Sequence, residues 1–392
     1  MKLSELFWVF LRIGSISFGG FMALVSVVEK ELTQKRKVLS SETILDGISL
    51  ASVLPGPVAV NMVAFAGYEL RGIRGAIISV VAVILPSFIL IYSLSVAYFS
   101  YGHVPAIAKI FEGFIPAVMA IIASVVYDLS IKHIKHPFQV FLCLCSALLI
   151  YLVGGLFLTI LIFLISGLAG KLFLDTPSSV SADEKTIIWD KKKLLNVLGL
   201  SVAILMGYVL IELLIPEAGI YLIYKQILFL FSGLSLTLFG GGYVFIPIIQ
   251  QLVVVKMNWL TVKEFTDGIA LGQVTPGPIL ISAAFIGYKV AGLTGAVLGT
   301  IGMFMPSVLL TILGAQGYRH IRQSTFVKAM YTGIRPAVIG MIISAIAVIG
   351  KTATWNWLCV LIMASSFIAI VAFRINIIWV ILASGLTWYF LN

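Results

Sequence analysis

The sequence predicts an all-α polytopic membrane protein made of two homologous repeats in inverted orientation, with about 11–13 membrane spans. Three observations predict it: the composition, the recurrence of apolar segments of spanning length, and a series of ordered motif matches between the two halves. Of the 392 residues, 60% are hydrophobic and only 11% charged, where a soluble domain carries about a quarter charged residues. Such hydropathy also excludes a disordered chain.

The apolar segments approach the roughly 20 residues that a helix needs to cross a bilayer. They fall near residues 5–28, 45–70, 75–100, 106–131, 137–152 and 156–173. The first lacks a small-residue cleavage site, so it reads as a retained helix and not a signal peptide. One polar stretch follows, Lys171 to Lys193, ending in Lys191-Lys192-Lys193. It reads as a solvated linker. Further apolar segments lie near 194–215, 226–252, 266–289, 294–315, 331–350, 355–372 and 374–391. The net charge of +10 is that of cytoplasmic loops rich in Lys and Arg; no basic helix or aromatic–basic platform points to nucleic acid. Cys143, Cys145 and Cys359 lie in apolar runs and read as small buried hydrophobes. No zinc spacing, Walker loop or nucleophile constellation occurs. Neither an enzyme nor a cofactor or metal site is expected.

A shift of 221 residues places Phe18-Gly19-Gly20 on Phe239-Gly240-Gly241, Asp46-Gly47-Ile48 on Asp267-Gly268-Ile269, and Pro55-Gly56-Pro57 on Pro276-Gly277-Pro278. One residue is then lost. At 220, Gly67-Tyr68 meets Gly287-Tyr288, Gly72 meets Gly292, Pro86-Ser87 meets Pro306-Ser307, and Gly113 with Pro116 meets Gly333 with Pro336. Ordered matches with one gap indicate a tandem duplication, repeats 1–171 and 222–392 joined by 172–221. The joining segment contains the linker and one unpaired helix. With six spans per repeat, that helix reverses the second repeat in the bilayer, an architecture common among secondary transporters.

Basic residues leave two topologies open. Thirteen alternating spans with the N-terminus inside satisfy the positive-inside rule except at Lys35-Arg36-Lys37. An arrangement in which each Pro-Gly-Pro segment dips in and returns, with the N-terminus outside, satisfies it as well. Both place the linker in the cytoplasm.

Pro-Gly-Pro cannot sit in a continuous helix, because two prolines remove two donors and clash with the preceding turn. The breaks predict helix pairs 45–54 and 58–70, and 267–275 and 279–289. Backbone freed at membrane depth survives only against protein or a watery cavity, and helix N-termini there attract anions. The candidate substrate site therefore comprises Pro55, Gly56, Pro57, Pro276, Gly277 and Pro278, with Gly19, Gly20, Gly240, Gly241 and Gly242 allowing close backbone approach. Asn61, Gln273 and Thr275 supply neutral donors. Arg12 and Arg335 are cations inside apolar segments and candidate oxyanion clamps. Asp46 and Asp267 begin the matched broken segments; helix capping is one role for them, proton coupling the other.

Several of these residues carry a resemblance. Phe239-Gly240-Gly241-Gly242-Tyr243, Trp259-Leu260 and Glu264 through Pro278, then Gly287-Tyr288, resemble the chromate transporter family of bacteria and archaea. Phe18-Gly19-Gly20, Pro55-Gly56-Pro57 and Gly67-Tyr68 resemble the same domain in the first half. The resemblance implies a two-domain secondary transporter exporting chromate through the cytoplasmic membrane of a prokaryote, driven by the proton-motive force. An uncoupled anion channel and a carrier of another tetrahedral dianion, sulfate included, remain alternatives. The expected partners are the oxyanion and the lipid bilayer, and a homodimer is left open.

Overall fold

In the computed structural model every regular element of the described chain is helical. The structure describes residues 1–18, 21–101, 104–174, 219–237, 242–323 and 325–392, with Gly199, Met206, Gly207 and Leu210 between them. Lys171 to Phe173, expected as the start of the linker, form the last turn of a helix; the rest of the linker and most of the predicted unpaired helix 194–215 lie outside the described residues.

In the first half α1 is Leu3–Ile16 and α2 is Phe21–Glu29, continued by a π-helical turn, Lys30–Lys35. They are followed by α3 (Ser41–Val53), α4 (Val58–Tyr101), α5 (Pro105–His133), α6 (Pro137–Leu152) and α7 (Leu156–Phe173). The second half has α8 (Gly219–Thr237), α9 (Phe245–Gln250) with its π-helical turn Gln251–Lys256, α10 (Val262–Val274), α11 (Ser282–Gln323), α12 (Thr325–Gly350), α13 (Trp357–Val371) and α14 (Ile377–Leu391). Capping follows composition. The Ser40 hydroxyl accepts the Thr43 amide at the start of α3, and Thr261 with Glu264 closes a capping box on α10, satisfying first-turn donors.

The halves match down to their irregularities. Both have a π-helical turn at the same place, and Lys37 and Asn258, two residues beyond the end of that turn, have φ of 51° and 52°. Gly56 and Gly277 both have φ 103°. α4 and α11 hinge at Arg71-Gly72 and Ala291-Gly292, where the glycines have φ 60° and 58°. Only glycine takes this backbone without strain. Across each hinge the helix doubles back: a Cβ on Gly67 would lie 2.6 Å from the Gly75 carbonyl oxygen, and Gly287 meets Gly295 in the same way.

The broken segments are hairpins, where the apolar pattern alone reads spans. Glu5 at the start of α1 pairs with Arg36 just past α2 at 2.9 Å, so the chain returns to the end where it began. α3 and the short arm of α4 fold together about Gly56, with a Cβ on Gly47 falling 2.6 Å from the Phe65 ring; Gly268 and Phe285 repeat this about Gly277. Segment 5–28 is thus two helices. Of the roughly 11–13 spans expected, the 13-span count takes these segments as crossings and the 11-span count lets each Pro-Gly-Pro segment return, since hydropathy cannot tell a hairpin from a span. Among the described residues, five helices are long and apolar enough to cross a membrane. The chain is a multi-pass membrane protein.

Contacts sort the loops onto two faces. On the first, Met1 accepts from Arg71, Glu5 meets Arg36, Arg374 meets Asp128 at 3.3 Å, and Gln139 on α6 donates to Thr332 on α12 at 3.2 Å. On the second, Lys263 lies 3.9 Å from Glu112, Gln251 donates to Val153 at 3.2 Å, Lys351 sits over the Tyr151 ring at 4.6 Å, and Asn356 reaches Asn392 at 3.0 Å.

The long helices exchange partners between halves. α5 packs against α13 and α14, and α12 against α6 and α7. Small residues let these backbones touch, as apolar packing in lipid requires. A Cβ on Gly113 would lie 2.5 Å from the Trp388 Cβ, and one on Gly333 2.7 Å from the Gly170 amide. Gly333→Leu is therefore expected to lower stability by about 1–3 kcal/mol through overpacking. The check is the melting temperature of the detergent-solubilised protein, followed by size-exclusion chromatography. An unchanged melting temperature would show that α7 and α12 separate freely.

Candidate functional site at the helix breaks

Each Pro-Gly-Pro break forms the tip of a hairpin, and each tip is seated on helices of the other half. The Gly277 amide donates to the Ser17 carbonyl at 2.8 Å, just past α1 and next to the Phe18-Gly19-Gly20 motif. The Ser87 hydroxyl on α4 donates to the Pro276 carbonyl. In the other direction, a Cβ on Gly56 would collide with Ser307 on α11 and would lie 3.3 Å from the Ser235 carbonyl oxygen on α8. Proline dictates this local form: the helix stops before the break, and a new helical segment begins after it with unpaired amides. Gly56, Pro57, Pro276, Gly277 and Pro278 are buried, and Pro55 is half-buried.

The neutral side chains fall into two groups. Asn61 bridges the first break, donating Nδ2 to the Pro55 carbonyl at 3.0 Å. Gln273 accepts from the Tyr243 hydroxyl at 3.4 Å. Both are buried, and among the described residues Asn61 Oδ1, Gln273 Nε2 and Ser235 Oγ have no partner. Buried polar atoms rarely stay unpaired, so these are atoms a ligand or water would satisfy. Thr275 instead donates to the Gly272 carbonyl at 2.8 Å, and Ser282 to Ile279 at 2.9 Å; both hydroxyl protons serve the backbone.

The carboxylates differ. Asp267 is 1% exposed and accepts from the Tyr98 hydroxyl at 2.6 Å, with Lys263 at 3.8 Å and its Oδ1 unpaired. Asp46 is half-buried. The two arginines do not join the tips through any described bond. Arg12 is exposed on α1. Arg335 is exposed on α12 and stands over the Tyr331 ring at 5.9 Å. Gly242 packs on Ile279. Gly19, Gly20, Gly240 and Gly241 lie outside the described residues. Sequence reasoning passed over Tyr98, Ser87 and Ser307. The signal was present in the matched Pro86-Ser87 and Pro306-Ser307, since a polar residue after a proline within an apolar helix invites the question of its partner.

Interrupted helices that meet inside an apolar bundle are the construction of membrane transport proteins. The chromate transporter family profile matches residues 4–171 and 225–389. The chain belongs to the chromate transporter family, and is a transporter rather than an enzyme. An uncharacterized transporter of Methanocaldococcus jannaschii is 30% identical over 389 residues, covering 98% of this chain and 93% of its own. A chromate transport protein of Cupriavidus metallidurans is 30% identical, covering 89% of this chain and 83% of its own. A probable chromate transport protein of Synechococcus elongatus is 31% identical over 89% of this chain and 85% of its own. No solved structure matches.

Proposed function

We propose that this protein exports chromate or a related tetrahedral oxyanion, sulfate included, across the cytoplasmic membrane of a prokaryote, driven by the proton-motive force. The observation that carries the reading is the seating of the Gly277 amide on Ser17, which joins a broken segment of one half to a broken segment of the other. Two relatives, one named a chromate transport protein and the other a probable one, support the substrate. In this reading the tips, Asn61, Gln273, Thr275 and the glycines around Gly20 and Gly241 surround the anion. Asp267 and Asp46 carry protons. The test uses purified protein in proteoliposomes, with chromate, sulfate and phosphate compared with and without a pH gradient. Saturable chromate flux that accelerates with the gradient is expected. Unsaturable, gradient-insensitive flux would make the protein a channel.

The repeats, 1–171 and 222–392, are inverted in this proposal. Its support is that the ends of the first-half hairpins share one face with Met1, while Lys263 and Lys289 of the second-half hairpin reach Glu112 and Phe99 on the other. Lys35, Arg36, Lys37, Arg71, Arg74, Lys132 and Lys135 then fall on the first face, which the positive-inside rule makes cytoplasmic. The Lys35-Arg36-Lys37 cluster ceases to be an exception, because α2 returns. Single-cysteine variants at Lys35 and Lys351, in a background lacking the native cysteines, test this with an impermeant thiol reagent on intact cells. Labelling is expected at 351 alone; labelling at 35 would reject the topology.

Moving a dianion out of water requires compensating charge. Arg12, exposed on the hairpin helix that leads to Ser17, meets the anion on its way to the tips in this reading. Arg335 has a weaker claim, on the side of α12 that carries Tyr331. Arg12→Gln is expected to raise the half-saturating anion concentration at least tenfold, about 1.4 kcal/mol. Arg12→Lys restores part of this, since a point charge does not replace the planar fork. The control is Arg374→Gln, which removes only an exposed pair with Asp128. The check is a concentration series of flux at fixed pH; an unchanged half-saturation would leave anion binding to the tips alone.

A further inference from the structure

Ser87 and Ser307 follow the prolines inside the long helices α4 and α11, at positions matched by the repeat. Both are 0% exposed, and each faces the hairpin tip of the opposite half. A Cβ on Gly277 would lie 2.6 Å from Ser87 Oγ, and one on Gly56 2.6 Å from Ser307 Oγ. The two tips have the same backbone, φ 103° at both glycines. The hydrogen bonds nevertheless differ. Ser87 donates across the halves to the Pro276 carbonyl. Ser307 donates back to the Phe304 carbonyl of its own helix at 3.1 Å. The repeats are thus alike in backbone and unlike in where this one proton goes.

A serine hydroxyl has a single proton to donate. It can hold the facing tip or bond its own helix, and the structure contains one matched serine in each condition. We infer that Ser87 and Ser307 are positioning residues that latch the Pro-Gly-Pro tips in alternation, one tip held while the other is free. This rests on the proposed transport reading. Exchanging the two conditions between matched repeats reverses which side of a transporter is open. Among the described residues, the second-half tip is held by Ser87 on Pro276 and by Ser17 on Gly277, and Ser307 gives its proton to its own helix instead of to the first-half tip.

The experiment is hydrogen–deuterium exchange of the full chain in nanodiscs without substrate, read on the tip segments 50–62 and 272–283. Ser87→Ala is expected to speed exchange at 272–283 about fivefold and slow it at 50–62, the scale of one net hydrogen bond. Ser307→Ala is expected to do the reverse, and the double variant to return the ratio of the two tips to that of the unmodified protein. A role confined to packing would loosen only the tip each serine touches, or both tips together, and either result overturns the inference. Because no substrate is present, the readout is independent of the transport reading. Reciprocal exchange in a protein that carries no oxyanion would support the latch and count against that reading. Oxyanion flux without reciprocity would do the opposite.

Discussion

Gly277→Val is expected to abolish anion flux, at least about 100-fold, while the protein still inserts and elutes as a single species. Two costs combine. Gly277 has φ 103°, a backbone that costs a non-glycine residue about 1–3 kcal/mol, and more when the side chain is β-branched. A Cβ there would also press on Ser87 Oγ at 2.6 Å, and overpacking adds about 1–3 kcal/mol. The tip has to leave its seat on Ser17 and Ser87, and every ~1.4 kcal/mol is a factor of ten in rate. Gly56→Val should match it, since its Cβ would meet Ser307. The measurement is initial flux per folded protein in proteoliposomes. Near-normal flux in either variant would remove the tips from the transport path.

Asp267→Asn is expected to eliminate accumulation driven by a pH gradient, again by about 100-fold or more, the scale on which a positioned proton-transfer group acts. Exchange of labelled for unlabelled anion at equal pH on both sides should persist. A carboxylate 1% exposed in an apolar bundle is costly unless it has a task, and among the described residues this one is held by the Tyr98 hydroxyl and by Lys263 at 3.8 Å. Asparagine keeps the shape and the Tyr98 contact but carries no exchangeable charge. Gradient-driven accumulation at the normal rate in Asp267→Asn would move proton coupling elsewhere, with Asp46 the next position to test.

The helix breaks were legible because their cause is local. Proline lacks an amide and glycine alone tolerates φ near 100°, so Pro55-Gly56-Pro57 and Pro276-Gly277-Pro278 announce themselves in any context. The pairing of Asp267 with Tyr98 was not legible, since the partners come from different halves and nothing in either neighbourhood names the other. Arg12 was legible only in part. Its charge in an apolar segment is plain in the sequence, yet a helical face does not say whether it looks inward, and the structure leaves it exposed.

By itself, then, the sequence determined that this is a helical membrane protein of two matched halves, that each half is broken at one Pro-Gly-Pro motif, and that its motifs are those of one transporter family. These follow from composition, local backbone chemistry and order along the chain. Only the tertiary structure decided that the broken segments return on themselves, that α5 and α12 pack against the far helices of the opposite half, and that each tip rests beside the matched serine of the other repeat. Hydropathy measures how apolar a segment is, and a hairpin returning to its own side is as apolar as a span. The direction of a chain in the bilayer, and the partner of a buried hydroxyl, are set by contacts between residues far apart in sequence.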